Sequence, residues 1–464
     1  MADCSLAPSL AAIFVAATVA ACPASAGTFA EVTGFGSNPG RLRMFAYAPD
    51  ALRDPPALVV VMHGCNQNAA SYLEHSGWRE QADAGGFALV LPQQEVGPGP
   101  VFFPGGRNHP TRCLNFAERR DSTRDSGEAL SIREMVAHAS EAFGVDPGRV
   151  FVNGLSAGGG MTAVMLATYP DVFAAGAIIA GVPYRCGEAT RTAPAACGVT
   201  LQFQPHNPAP DRSPADWGAR VRAAAPAGFA GPWPRVAIWQ GDADGTVDPP
   251  NAVELVEQWT NVHGIDAVAD AEEDVGPAIR RAYHDADGRT LVAFYDLPGF
   301  GHATPIDPNA AAEPCGRAGE PFIRDADICS TAAIARFFGL LAAPPVVTIA
   351  SASVEGRDVV VAGAAEDPDG DLSEVRVRLD GRHPRPEQVA NGTAAWTARF
   401  EGLADDAFYV PVATATDRAG ASATLRGAPV AVGAPPPNAP PALAIDAVAV
   451  EGACVDVAGP AADP

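Results

Sequence analysis

Seven short runs, most of them dense in apolar and β-branched residues, constrain this chain more than any other feature. They are RLRMFAYAP (41–49), ALVVVMHG (57–64), FALVLPQ (87–93), RVFVNGLS (149–156), AAGAIIAGVPY (174–184), RVAIWQGD (235–242) and LVAFYDLPG (291–299). A strand that is apolar on both faces must be covered on both, which in a single domain means a mostly parallel sheet with crossover helices. Between the runs lie segments of helical period at 69–84, 125–143, 157–168, 251–263 and 330–341. The alternation predicts an α/β domain over roughly residues 41–341.

Beyond Ala342-Ala343-Pro344-Pro345 the pattern changes. Helical signals stop, and short alternating runs separated by turn clusters follow: DVVVAGAA, EVRVRLDG, AAWTARFEGL and FYVPVATATD. This predicts an all-β sandwich of immunoglobulin or fibronectin III type over 344–433, followed by a Pro-rich linker at 434–441. The last 25 residues repeat an earlier stretch: residues 440–464 match 344–368 at 13 of 25 positions without a gap. Residues 442–464 therefore read as the opening strands of a second sandwich. So short a piece cannot close one, so the chain is expected to be a truncated part of a longer protein.

The net charge of −23 argues against nucleic acid or an anionic membrane surface as partner. A neutral polymer or a small ester is compatible with it. Residues 10–21 are apolar but too few to span a bilayer, and Ala24-Ser25-Ala26 follows as a cleavage pattern. Residues 1–26 are thus expected to be a signal peptide on a secreted protein, although no basic residue precedes the apolar run. The alternative is a lipoprotein box ending at Cys22. Six of the nine cysteines fall into pairs suited to an oxidising compartment: Cys65 with Cys113, Cys186 with Cys197 and Cys315 with Cys329. No C-x-x-C or H-x-x-x-H cluster is present, so no structural zinc is expected. Asp367-Pro368-Asp369-Gly370-Asp371 has calcium-loop character, but a hydrated turn accounts for it more simply.

Gly154-Leu155-Ser156-Ala157-Gly158 is a G-x-S-x-G motif placed directly after one apolar run and before a helical segment. In that context the serine sits on a sharp strand-to-helix turn that lifts its Oγ clear of the sheet. The Ala157 amide, at a helix N-terminus, is placed to donate to an oxyanion. His63-Gly64-Cys65 follows the strand run 57–62, where α/β-hydrolases place the second oxyanion donor, and that role falls to the Cys65 amide. His63 is read as structural, because the base follows the serine in chain order. Asp242, Asp244 and Asp248, around the end of the run 235–242, are all candidates for the acid, and spacing does not choose among them. Gly299-Phe300-Gly301-His302 closes the last run and offers His302 as the base. The order Ser, Asp, His is that of the α/β-hydrolase fold.

Five motifs in order, HGC (63–65), GLSAGGGM (154–161), YPDVFAAGAIIAGVPY (169–184), WQGDADGTV (239–247) and GFGHATPID (299–307), resemble the extracellular polyhydroxybutyrate (PHB) depolymerase esterases. The resemblance covers about residues 40–341, within a catalytic domain drawn at 27–343. It implies a serine esterase acting on short-chain polyhydroxyalkanoate without metal or organic cofactor, and it places the triad acid on Asp244. Gln240 stands where relatives commonly carry His, and is expected to adjust the rim of the site. Feruloyl and acetylxylan esterases share the fold and remain an alternative. A non-catalytic polymer-binding protein is the alternative of another class.

Overall fold

The computed structural model describes residues 27–96, 109, 111–187, 195–200, 207–310, 315–341, 345–367, 372–405, 407–417 and 422–433, with backbone only at 442–443, 447–451, 454–458 and 461–462. The signal peptide, Cys22, the 434–441 linker and most of the 367–371 acidic turn lie outside the described residues. The chain divides into two compact units, one up to Leu340 and one from Leu341 onward.

In the first unit the strands are β1 (Thr28–Val32), β2 (Arg43–Ala48), β3 (Leu58–Met62), β4 (Ala88–Gln93), β5 (Val150–Leu155) and β6 (Ala175–Ile179). They continue with β7 (Arg235–Gly241), β8 (Ala271–Val275), β9 (Ala278–His284), β10 (Thr290–Leu297), β11 (Thr304–Ile306) and β12 (Ile323–Asp325). The first ten form one sheet in the order β1-β2-β4-β3-β5-β6-β7-β10-β9-β8. Its six central strands, β4, β3, β5, β6, β7 and β10, are parallel to one another. Every residue of β3, β4, β5 and β6 is buried, as two-sided coverage requires. The sheet is an α/β-hydrolase-like one, and the solved structure compared below has the same fold.

The helices are α1 (Ala69–His75), α2 (Trp78–Gly85), α3 (Gly127–Phe143), α4 (Ala157–Thr168), α5 (Pro214–Arg222), α6 (Asn251–His263) and α7 (Ser330–Phe337). The single helix expected over 69–84 is broken at Ser76-Gly77. Gly77 has φ +92°, and a Cβ there would lie 2.6 Å from Thr331 Oγ1 and 3.0 Å from Cys315 Sγ, so only glycine fits at the break. Helix α5 was not expected, although Ser213 caps it through Asp216 N and a proline opens it. Helix α4 is buried on all sides, which its apolar, Gly-rich sequence allows.

Two antiparallel pairs flank the parallel core. On the β10 side, β9 and β8 extend the sheet. Strand β8 is the edge, exposed except at the half-buried Val275, with Glu272 paired to Arg281 and Glu273 to Arg280. Three disulfides join Cys65–Cys113, Cys186–Cys197 and Cys315–Cys329, the pairs expected from spacing. Among the described residues no helix is long and apolar enough to cross a membrane.

The second unit is all-β. Strands β13 (Val346–Glu355), β14 (Asp358–Glu366) and β17 (Ala395–Phe400) make one sheet. Strands β15 (Leu372–Gly381), β16 (Arg385–Val389), β18 (Ala407–Asp417), β19 (Ser422–Arg426) and β20 (Val430–Val432) make another. The two sheets share one core, with Val359, Val361, Trp396 and Phe400 on one side and Val375, Val377, Tyr409 and Ala413 on the other. In the terminal repeat, 447–451 pairs with 454–458 so that Ala447 faces Ala458 and Glu451 faces Cys454. Shifted by 96 positions, this is the register in which Ser351 faces Ala362 and Glu355 faces Asp358.

Candidate active site

The parallel register brings the carboxyl ends of five strands to one edge. Met62 is opposite Gly154, Leu155 opposite Ile179, Ile179 opposite Trp239, and Leu297 opposite Gly241. The segments that follow these strands carry His63 to Cys65, Ser156, Asp242 to Asp244, and His302, and Gln240 lies near the end of β7 itself. In an open α/β sheet this edge is where ligands bind.

Ser156 adopts φ 58°, ψ −117°, a conformation that a side-chain-bearing residue takes only where its surroundings enforce it. Its N–H donates to Ile179 O at 2.9 Å, and its carbonyl accepts from Gly160 N at 2.8 Å. The flanking glycines are steric requirements. A Cβ on Gly154 would fall 2.3 Å from the Gly158 carbonyl, and one on Gly158 would fall 2.4 Å from Met62 O and 2.8 Å from His63 O. The turn therefore presses directly on the segment that carries Cys65. Ala157 opens helix α4, where N–H groups have no partner within the helix.

His63 is buried, and burial pushes it down to about 4. Gln94 N donates to its Nε2 at 3.3 Å, so the neutral ring carries its proton on Nδ1 and donates it to Gly64 O at 2.7 Å. That carbonyl belongs to the Gly64–Cys65 peptide, whose other edge is the Cys65 N–H. Gln67 Oε1 accepts from Gly64 N at 2.9 Å, and the Cys65–Cys113 bond ties down the next residue.

Of the three candidate carboxylates, Asp244 is the one that meets His302. Its Oδ2 accepts from His302 Nδ1 at 2.7 Å, and its Oδ1 accepts from Thr246 N at 2.8 Å and Val247 N at 2.9 Å. Asp242 is exposed and accepts from Gly299 N, while Asp248 accepts from Ala209 N. Gln240 is not at the rim, contrary to expectation. It is 3% exposed, and its Nε2 donates to Asp244 Oδ2 at 3.1 Å. A single sequence gives no sign of this contact, because it depends on how the turn after β7 folds back on itself. Phe322, also unsignalled in the sequence, packs edge-on against His302 with ring centroids 5.8 Å apart.

Among the described residues, Asp307, Asp325 and Asp327 hold carboxylate oxygens within 4.8 Å of one another on the surface. Asn309 donates to two of them.

The strained serine between strand and helix, on an α/β sheet with an Asp–His pair at the same edge, defines the class of serine hydrolases. Within that class the chain belongs to the Esterase PHB depolymerase family, whose model matches residues 44–275. It is 43% identical over 311 residues to Poly(3-hydroxyalkanoate) depolymerase C of Paucimonas lemoignei, covering 67% of this chain and 70% of that protein. It is 35% identical over 289 residues to an acetylxylan esterase of Coprinopsis cinerea, covering 60% of this chain and 70% of the relative. The solved structure of an acetyl xylan esterase from Aspergillus awamori superposes on 68% of this chain and all of its own, with TM-score 0.53 and 24% identity. The chain is a carboxylic ester hydrolase.

Proposed function

We propose that this chain is a secreted esterase that cleaves short-chain polyhydroxyalkanoate, polyhydroxybutyrate above all, through an acyl-enzyme on Ser156. The observation that carries the reading is the hydrogen bond from His302 Nδ1 to a buried Asp244 carboxylate, at the strand edge where Ser156 is lifted out of the sheet. Asp244 holds the imidazole with its proton on Nδ1, leaving Nε2 free to accept. Ser156 Oγ gives its proton to that nitrogen and adds to the ester carbonyl. The amides of Cys65 and Ala157 receive the oxyanion. The tetrahedral adduct collapses as His302 returns the proton to the leaving alcohol. Water, deprotonated by His302, then attacks the acyl-serine, and the hydroxyacid departs as Ser156 regains its proton. Every step is made by the chain's own groups.

The substrate class rests on the 43% likeness to a polyhydroxyalkanoate depolymerase, and the three disulfides support export. Acetylxylan or feruloyl ester hydrolysis is the second reading, favoured by relatives carrying those names. Residues 344–433 form, in this proposal, an immunoglobulin or fibronectin III-like accessory module that spaces the catalytic domain, 27–343, from whatever follows. The strand orders β13-β14-β17 and β16-β15-β18-β19 support that type. So does Tyr409, near the start of β18, whose hydroxyl accepts from Ala404 N at 3.1 Å, the contact of a tyrosine corner.

The deciding assay compares clearing of a polyhydroxybutyrate suspension with ferulate release from methyl ferulate. Clearing that Ser156→Ala abolishes is the expected result. Ferulate release without clearing would move the chain to the second reading.

A further inference from the structure

Phe322 is held in a conformation that neither its own preference nor core packing explains. Its φ is +64°, a region bulky side chains avoid, and its side chain remains exposed enough that the residue is 37% accessible. The surroundings hold it there by several independent ties. It lies midway along the loop closed by Cys315–Cys329. Its carbonyl accepts from Thr304 N at 2.9 Å, and the following residues pair as β12 with β11. Pro321 O accepts from Gln67 Nε2 at 2.8 Å, and Gln67 is the same buried side chain that accepts from Gly64 N. One glutamine thus fixes the Phe322 loop to the segment carrying the Cys65 amide.

The ring so presented stands edge-on to His302 at 5.8 Å. On the mechanism above, His302 Nε2 hands its proton to the oxygen of the departing alcohol, so that group must come within hydrogen-bond reach of the imidazole. An alcohol larger than methanol then extends past the imidazole onto whatever surface adjoins it. We propose that Phe322 is the wall of a leaving-alcohol subsite, packing against the aliphatic alcohol half of the ester. In a polyester that half is the neighbouring hydroxyacyl unit. The proposal rests on the Ser156–His302 reading and adds the side of the ester that is recognised. Strain concentrated at such a position fits a residue retained for contact with substrate rather than for stability.

The test measures kcat/KM for Phe322→Ala and Phe322→Gly on two ester series. The glycine variant removes the ring and suits the positive φ, so it folds even where alanine is strained. With a butyryl acyl group held constant, the loss should grow from under about twofold for the methyl ester to about tenfold for the butyl ester. With methanol held constant as the alcohol, the loss should not depend on acyl length. A loss that is equal across both series would mean that Phe322 only orients His302, and would overturn the proposal. So would a loss that follows acyl length, or no loss at all. A fluorophosphonate probe on the wild-type protein separates the two levels. Label at Ser156 with any of those three patterns defeats the subsite alone, whereas no label on folded protein defeats the catalytic reading and the subsite with it.

Discussion

Replacing Asp244 by Asn tests whether the carboxylate sets the tautomer of His302. Oδ1 accepts two backbone N–H groups, from Thr246 and Val247, so the asparagine must keep its oxygen there. Its NH2 is then forced to the Oδ2 position, facing His302 Nδ1 and the Gln240 Nε2 donor 3.1 Å away. Two consequences follow. His302 must accept on Nδ1 and carry its proton on Nε2, where it cannot take the proton of Ser156. That mis-set tautomer costs about 10⁴-fold in kcat, or about 5.5 kcal/mol of transition-state stabilisation. Gln240 Nε2 also loses one of its two acceptors inside a buried site, keeping only Gly241 O, which destabilises the fold by about 1–3 kcal/mol. Steady-state hydrolysis of p-nitrophenyl butyrate reads the first effect, and thermal denaturation reads the second as a fall of several degrees. Asp242→Asn is the control: its carboxylate is exposed and only holds Gly299 N, so kcat should change by less than about threefold. A loss below about 100-fold for Asp244→Asn, with Tm lowered as expected, would refute the tautomer argument.

Burial lowers both His63 and His263 to about 4, against about 6.5 in the unfolded chain. The unfolded state therefore takes up protons first as pH falls. Stability is fully present above about pH 6.5 and is lost between there and about pH 4, by about 2 kcal/mol per histidine at pH 5. Urea unfolding at pH 7.5 and pH 5 measures it, and equal midpoints would contradict it. Gly158→Ala places a methyl group 2.4 Å from Met62 O, so the Cys65 segment must move. We expect a loss of about 1–3 kcal/mol in stability and at least tenfold in kcat, read by denaturation and by turnover of the same ester. The double change Cys65→Ser with Cys113→Ser should lower kcat by about 10–100-fold with little change in KM, because an oxyanion donor loses its tether; a change confined to KM would argue against that role.

The parallel core was legible because its strands are apolar on both faces, and the elbow was legible because G-x-S-x-G appears only where strand meets helix. The outer hairpin β8–β9 was not. AEEDV in β8 carries no apolar alternation, since an exposed edge strand need not have any. The break at Gly77 has a local sign, a glycine at positive φ just past a helix end, which the helical period running on through 78–84 masks. Position alone puts Ser156 and His302 forward as candidates. Which of Asp242, Asp244 and Asp248 meets His302 is visible only in the folded turn. Gln240 and Phe322 meet Asp244 and His302 only in the tertiary structure, so a scan for motifs passes over both.

The edge strand β8 bears on how the enzyme survives its own concentration. An insoluble polyester would gather many copies onto a small area, where an open sheet edge invites a neighbour's strand to pair with it. Here any such strand would have to lie along a row of carboxylates, Glu272, Glu273 and Asp274, two of them already engaged with Arg280 and Arg281. Charged side chains along an edge strand disfavour such pairing. The same sheet that gathers the candidate catalytic groups at its centre thus ends, on the β8 side, in an acidic edge unfavourable to strand pairing between crowded molecules.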